Sequence, residues 1–234
     1  MNGFQAILDL LFPQKCPFCG RVADGAGICP ACERSLPWAE GDAGLRTGPD
    51  GLCCAAPLLY EGAVRTALLR LKFQGGAHLA RPLGELVCRC AAERFSGEFD
   101  VVTWVPVGPK RLKERGYDQA RLLAQSACRL WGTAPEKLLV KKVNTPAQSE
   151  LADADARRAN VLGVYALAPG ADVAGRRVLL IDDICTTGST LNECIRTLKD
   201  GAVEQVVCAA VALTCAKRDV SSSKTRPRIN GEKC

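Results

Sequence analysis

Two aspartates close an apolar run in Val178-Leu179-Leu180-Ile181-Asp182-Asp183-Ile184-Cys185, and Thr186-Thr187-Gly188-Ser189-Thr190 follows at once. The chemistry open to such a string is recognition of a phosphorylated sugar. Carboxylates at the mouth of a buried strand accept hydrogen bonds from vicinal hydroxyls. A loop of small and hydroxyl residues entering a helix offers N–H groups and the positive end of the helix dipole to a phosphate. That helix is read from Leu191, Cys194, Ile195 and Leu198, which return at helical spacing. Gly188 lets the backbone approach an anion closely. The string therefore reads as a ribose 5-phosphate site, with Asp182 and Asp183 on the ribose hydroxyls. Thr186, Thr187, Gly188, Ser189 and Thr190 surround the phosphate. An ordinary strand and capped helix, with Ser189 or Thr190 as N-cap, explains the hydroxyls but not two adjacent acids that repel without a ligand.

A second chemistry lies near the N-terminus. Cys16-Pro17-Phe18-Cys19 and Cys29-Pro30-Ala31-Cys32 are separated by nine residues that include Gly20 and Asp24-Gly25-Ala26-Gly27. Each C-x-x-C turn aims two thiolates at one point, and two turns complete a tetrahedral sulfur shell. With no open position, the shell suits a structural Zn²⁺. A redox pair or an iron–sulfur centre is the alternative, and the matched spacing favours zinc. Cys53 and Cys54 are adjacent, so they do not repeat the knuckle. Cys185 is read as filler in the loop and not as a nucleophile.

The elements that must position these residues follow from periodicity. Val101 to Val107, Leu138 to Val143, Val178 to Ile184 and Val203 to Leu213 read as strands, and Ala120 to Leu130 as a helix. Strands alternating with helices imply parallel βαβ units whose ligands bind beyond the strands' carboxyl ends. After the first strand comes Pro106-Val107-Gly108-Pro109-Lys110-Arg111-Leu112-Lys113-Glu114-Arg115, a basic loop expected at the same sheet edge. Lys110, Arg111, Lys113 and Arg115 are candidates to hold a pyrophosphate through charge-assisted hydrogen bonds; a solvated charged loop is the plainer reading. Val64, Leu68 and Leu71 make Leu59 to Phe73 an amphipathic helix ringed by Arg65, Arg70 and Lys72. His78, the sole histidine, is read as a loop residue.

Composition bounds the rest. The 234 residues are 47% hydrophobic and 24% charged, as a globular chain with a proper core requires. No apolar run approaches the ~18 residues of a membrane span. Met1 to Pro13 carries helical apolar spacing without a basic n-region, so no secretory signal is expected. Of the net charge of +6, the segment from Lys217 onward supplies +4; that tail lacks periodicity and is expected to be disordered. Global charge is thus a poor argument for nucleic-acid binding. Fourteen cysteines, many single in apolar stretches, fit buried thiols in a reducing cytoplasm better than a disulfide scaffold.

The acid pair and its Thr-Thr-Gly loop resemble the signature of type I phosphoribosyltransferases, which bind phosphoribosyl pyrophosphate (PRPP). The paired knuckles, Tyr60-Glu61-Gly62 to Leu71-Lys72-Phe73, Arg115-Gly116-Tyr117-Asp118-Gln119-Ala120, and Gln148 with Leu151, Arg157 and Asn160 together resemble the ComF family. Asp118 departs from the Asn more usual there, which weakens a phosphate role at that position and leaves Arg115 and Gln119 as candidates. The resemblance implies an α/β fold: a type I phosphoribosyltransferase-like parallel sheet flanked by helices, with a small N-terminal zinc ribbon. The expected layout is a helix and ribbon over 1–36, a linker over 37–57, the phosphoribosyltransferase-like domain over 58–216 and a basic tail over 217–234. It further implies PRPP or ribose 5-phosphate as ligand, Mg²⁺ accompanying PRPP, and a link to natural competence with single-stranded DNA and a competence helicase as partners. Phosphoribosyl transfer to an unidentified acceptor and non-catalytic sensing of PRPP both stay open.

Overall fold

The computed structural model describes residues 15–23, 27–142 and 163–215. The expected N-terminal helix, most of the Asp24–Gly27 spacer, Gln148, Leu151, Arg157, Asn160 and the basic tail lie outside the described residues.

The apolar run before the acid pair becomes β7 (Arg177–Cys185), in which Val178 to Ile181 are completely buried. A strand apolar at consecutive positions must be covered on both faces. Parallel neighbours flank it: β4 (Val101–Trp104) pairs Val101 with Val178, and β8 (Gln205–Leu213) pairs Ile181 with Ala209. Leu179 and Ile181 pack into one core with α3 (Ala80–Arg94) and α5 (Gln119–Leu130). Val178 and Leu180 face a second core with α6 (Ser189–Asp200). The two-residue strand period thus divides one sequence run between two layers. Gly84 permits the crossing of α3 and α5, since a Cβ there would lie 2.6 Å from the Leu123 carbonyl oxygen.

Residues 37–57 are not a linker. They form β1 (Leu45–Thr47), antiparallel to β2 (Cys53–Ala55), and β2 lies parallel to β8 with Cys54 opposite Cys208. β3 (Leu58–Leu59) continues along the same edge of β8. The Gly, Asp and Pro residues that read as linker make two 3₁₀ turns around these short strands, whose small apolar residues carry little pattern of their own. Three further expectations change. The first strand stops at Trp104, before Pro106. The stretch from Leu138 supplies β5 (Leu139–Lys141), which pairs antiparallel with β6 (Tyr165–Leu167) in a separate ribbon instead of joining the parallel sheet. The basic loop is a short helix, α4 (Pro109–Arg115), with Pro109 in its first turn and Gly116 closing it.

The cysteine module begins with a turn between Lys15 and Val22, and α1 (Pro30–Ser35) follows Cys29. Cys16, Phe18, Ala23, Cys29 and Leu36 belong to the same apolar cluster as α3 and α5. Trp38 then bridges to Leu58 on the sheet edge. Between the two, α2 (Gly62–Phe73) buries Val64, Ala67, Leu68 and Leu71 as its spacing requires. Among the described residues no helix is long and apolar enough to cross a membrane.

Candidate phosphoribosyl site and metal centre

β7 delivers Asp182 and Asp183 to the carboxyl edge of the sheet, 9% and 3% exposed. The Asp183 N–H donates to Asp182 Oδ1 at 2.8 Å. Burial and the neighbouring Asp183 charge hold the Asp182 carboxyl well above its usual range, with Lys72 acting in the opposite sense. Lys72 Nζ, from the last turn of α2, lies 2.9 Å from Asp183 Oδ2. Arg115 also reaches this corner. Its guanidinium stacks 4.8 Å from the Phe73 ring centroid and donates to Gln119 Oε1 at 2.8 Å. Burial lowers the Arg115 pKa, and Asp183 pulls it back up. Two acids and two cations from three elements therefore gather about one strand end, with Lys72 paired to Asp183, in place of a bare acid pair.

The loop beyond the acids turns at Gly188, with φ +80°, and Gly188 is the N-cap of α6. A glycine cap brings no side-chain oxygen to the first-turn N–H groups, so the alternative of Ser189 or Thr190 as N-cap does not hold. The Thr187 and Ser189 hydroxyls lie 2.7 Å apart, and the Ser189 N–H donates to Thr187 Oγ1 at 3.3 Å. Contacts far away in sequence hold the loop in shape. Arg46 of β1 donates from Nη1 to the Thr186 carbonyl at 2.6 Å and from Nη2 to the Thr214 carbonyl. Thr214 Oγ1 also donates to the Thr186 carbonyl, at 3.3 Å. A Cβ on Gly188 would come 2.4 Å from Leu52 Cδ2. The loop has the backbone geometry and the helix N-terminus of an anion cradle.

The four basic candidates divide. Arg115 joins the acids; Arg111 is half-buried on the same helix, and its charge acts on Lys141, Tyr165 and Arg115. Lys110 and Lys113 are exposed on α4. Asp118 is the N-cap of α5: Oδ1 accepts from the Arg121 N–H at 3.1 Å, and Oδ2 from Trp104 Nε1 at 3.2 Å and the Val107 N–H at 3.1 Å. Burial raises its pKa against those donors. Asp118 thus ties β4 to α5 by accepting on both oxygens, where an amide would offer an acceptor on one side only.

Sequence reasoning missed Lys72, Arg46, Leu52 and Thr214. Lys72 had a legible signal, since it stands one helical turn after buried Leu68 and so on the inward face. Arg46 and Leu52 lay in the supposed linker.

At the ribbon, the sulfurs of Cys16, Cys19, Cys29 and Cys32 all lie within 4.8 Å of one another, and those of Cys19 and Cys29 are 3.5 Å apart. A tetrahedron with zinc–sulfur bonds of about 2.3 Å places its corners about 3.8 Å apart, so the four cysteines fit zinc. Cys29 is brought down to about 7, chiefly by a backbone N–H from Cys32. Burial opposes ionisation of Cys16, yet backbone donors from Cys29, Cys19 and Phe18 carry its pKa below the usual value. Both effects favour the thiolate that binds metal, while burial and the neighbouring sulfurs push the Cys32 thiol upward.

Comparison with known proteins identifies the domain class of two regions. A family model described as phosphoribosyl transferase domain matches residues 137–229, and one described as double zinc ribbon domain matches residues 7–62. The chain is 28% identical over 209 residues to the DNA utilization protein YhgH of Salmonella typhi, spanning 82% of this chain and 88% of that protein. It is 34% identical over 154 residues to Competence protein F of Haemophilus influenzae, spanning 63% and 66%. It is 25% identical over 183 residues to Competence protein ComFC of Bacillus subtilis, spanning 78% and 70%. A solved structure of the allosteric regulatory enzyme of purine biosynthesis aligns at 18% identity and a TM-score of 0.36, over 62% of this chain and 29% of that one. With a phosphoribosyltransferase domain behind a four-cysteine zinc ribbon, and competence proteins among its relatives, the chain belongs to the ComF family.

Proposed function

We propose that this chain binds PRPP at the carboxyl end of β7 and serves the handling of single-stranded DNA in competence or DNA uptake. The observation that carries the ligand is the junction of Asp182 and Asp183 with the Gly188 turn and the N-terminus of α6, faced by Lys72 and Arg115. Asp182 and Asp183 accept from the ribose hydroxyls. The 186–190 loop holds the 5-phosphate, and Arg115 with the α4 cations meets the pyrophosphate. Mg²⁺ suits this site as a companion of PRPP, because it keeps several waters and is held mostly by substrate oxygens; it would screen the pyrophosphate charge. In a transferase reaction the C1–O bond to pyrophosphate breaks, the oxygen keeps the electron pair, and a nucleophile bonds to C1. The chain's own part is to stabilise that leaving group and the cationic C1 by fixed charges. The non-catalytic reading keeps the same pocket as a PRPP sensor.

Thermal unfolding with PRPP or ribose 5-phosphate and Mg²⁺ tests the ligand, because binding to the native state alone raises Tm by mass action. The double variant D182N/D183N should lose that rise while staying folded; retention of wild-type affinity refutes the ribose clamp. Pyrophosphate release in the presence of candidate bases, amines and oligonucleotides separates enzyme from sensor.

The names of the relatives support the DNA reading, and so does a groove of about 440 Å³ where Lys15 of the ribbon meets His78, Arg81 and Arg129 on the α3–α5 layer. Weak, sequence-independent binding is expected, at roughly 10⁻⁴–10⁻⁶ M for contacts to the phosphate backbone. Fluorescence anisotropy at two salt concentrations, on the full chain and on one lacking residues 217–234, divides groove from tail. No binding at low salt by either removes the DNA reading and leaves the PRPP site standing.

A further inference from the structure

The Lys72–Asp183 ion pair occupies the place where a sugar hydroxyl has to bind. Asp183 Oδ2 is fully buried, and Lys72 Nζ lies 2.9 Å from it with the lysine side chain 22% exposed. A ribose hydroxyl therefore reaches that oxygen only after the ammonium moves aside. The backbone beneath Lys72 is fixed: the Tyr117 hydroxyl donates to the Leu71 carbonyl at 2.6 Å, and Leu71 is completely buried. What can move is the four-carbon arm, which is flexible and carries a compact charge. A second cation is at hand: the Arg115 guanidinium stacks on Phe73, the residue after Lys72, at 4.8 Å from the ring centroid.

Resting on the PRPP reading above, we propose that Lys72 is an exchangeable counter-ion, bound to Asp183 in the free protein and to the pyrophosphate in the complex. In the free chain it offsets the repulsion of two buried carboxylates. When the ribose hydroxyls take over Asp183, the released ammonium needs a new anion, and the pyrophosphate beside Arg115 supplies one. Lys72 is then a specificity-determining residue. PRPP replaces the broken ion pair with another. Ribose 5-phosphate breaks the same pair and returns nothing, so it binds more weakly than its hydroxyls and phosphate alone would allow.

Calorimetric titration of the full chain with PRPP and with ribose 5-phosphate, both with Mg²⁺, tests this on wild type, K72M and K72R. K72M should weaken PRPP by about tenfold or more, as expected for loss of a charge-assisted contact. Ribose 5-phosphate should bind K72M as well as wild type or better, so the preference for PRPP narrows by at least the factor lost on PRPP. K72R should restore much of that preference. Equal weakening of both ligands by K72M, or no change in either, overturns the proposal and reduces Lys72 to a structural role. Wild type binding neither ligand refutes the PRPP reading itself and the proposal with it. Should K72M fold poorly, K72M/D183N removes both charges together; its preference for PRPP over ribose 5-phosphate should be about tenfold or more below that of wild type, and a preference of wild-type size refutes the exchange.

Discussion

The ribbon and the strand-end site solve the same problem, bringing like charges together, by opposite means. In the ribbon, four cysteines from residues 16 to 32 converge through two local turns, and a zinc ion held by them would supply the countercharge. At the strand end the acids are adjacent in sequence, while everything that balances or shapes them comes from far away. Lys72 comes from α2, Arg115 from α4, and Arg46 and Leu52 from the segment before β2 and β3. A metal centre can be nearly complete within one short segment because the ion provides most of the folding energy. The strand-end acid pair instead borrows its order from elements distant in sequence.

The contrast breaks first at the metal. Purified protein should contain about one zinc per chain, and C16S should lose it, since structural zinc binds with ~10–16 kcal/mol in small peptides. The parallel sheet should survive, but Tm should fall by several degrees, because Phe18 and Ala23 share the cluster that covers α3 and α5. Elemental analysis with circular dichroism melts checks both parts; zinc-free protein with an intact ribbon breaks the comparison.

At the other centre, G188A should cost about 2–4 kcal/mol. It forces an alanine to φ +80° and drives its Cβ against Leu52. L52A added to it should recover the steric part but not the backbone part. Chemical denaturation of the two variants measures the division.

R46M should cost less, about 1.5–3 kcal/mol, since two carbonyls lose hydrogen bonds from a charged donor. It should also weaken ribose 5-phosphate, though Arg46 touches only the underside of the loop. Unchanged affinity would show that the loop keeps its shape without β1.

The smallest effect has the opposite sign. The folded Asp182 pKa is raised, so the native state binds the proton more tightly than the unfolded chain. Its stabilisation is fully present below the ordinary carboxylate pKa of about 3.9 and is lost as pH rises through the raised value. D182N keeps a neutral side chain at every pH. Its Tm should therefore exceed that of wild type at neutral pH, and the gap should close on acidification toward pH 4. A Tm difference independent of pH would mean that Asp182 is ionised in the folded protein throughout.

Much of this was legible in the chain. The buried run before Asp182, the helix begun by Leu191 and the spacing of the cysteines are local patterns, and local patterns survive folding. The Cys53–Ala55 strand was not legible, because three small residues between turns carry no periodicity and gain strand structure only from pairing with β8. The reassignment of β5 has the same origin: a short apolar strand does not state its partner. The basic stretch before Gly116 looked like one clamp, yet its cations spread over a short helix: the Asp183 charge acts on Arg115, Arg111 is half-buried, and Lys110 and Lys113 are exposed.

What the sequence determined by itself, then, is the local arrangement at each centre: an acid pair running into a glycine turn and a helix N-terminus, and a four-sulfur cluster. Hydrophobic period, glycine and cysteine spacing carry that information over fewer than twenty residues. What the tertiary structure decided is which distant charges complete the site. Lys72 pairs with Asp183 from the last turn of α2, Arg115 comes close enough from α4 for the Asp183 charge to act on it, and Arg46 reaches the Thr186 carbonyl from β1, a strand antiparallel to its neighbour β2. Charge balance at a buried acid is a property of three-dimensional neighbours, and no local pattern encodes it.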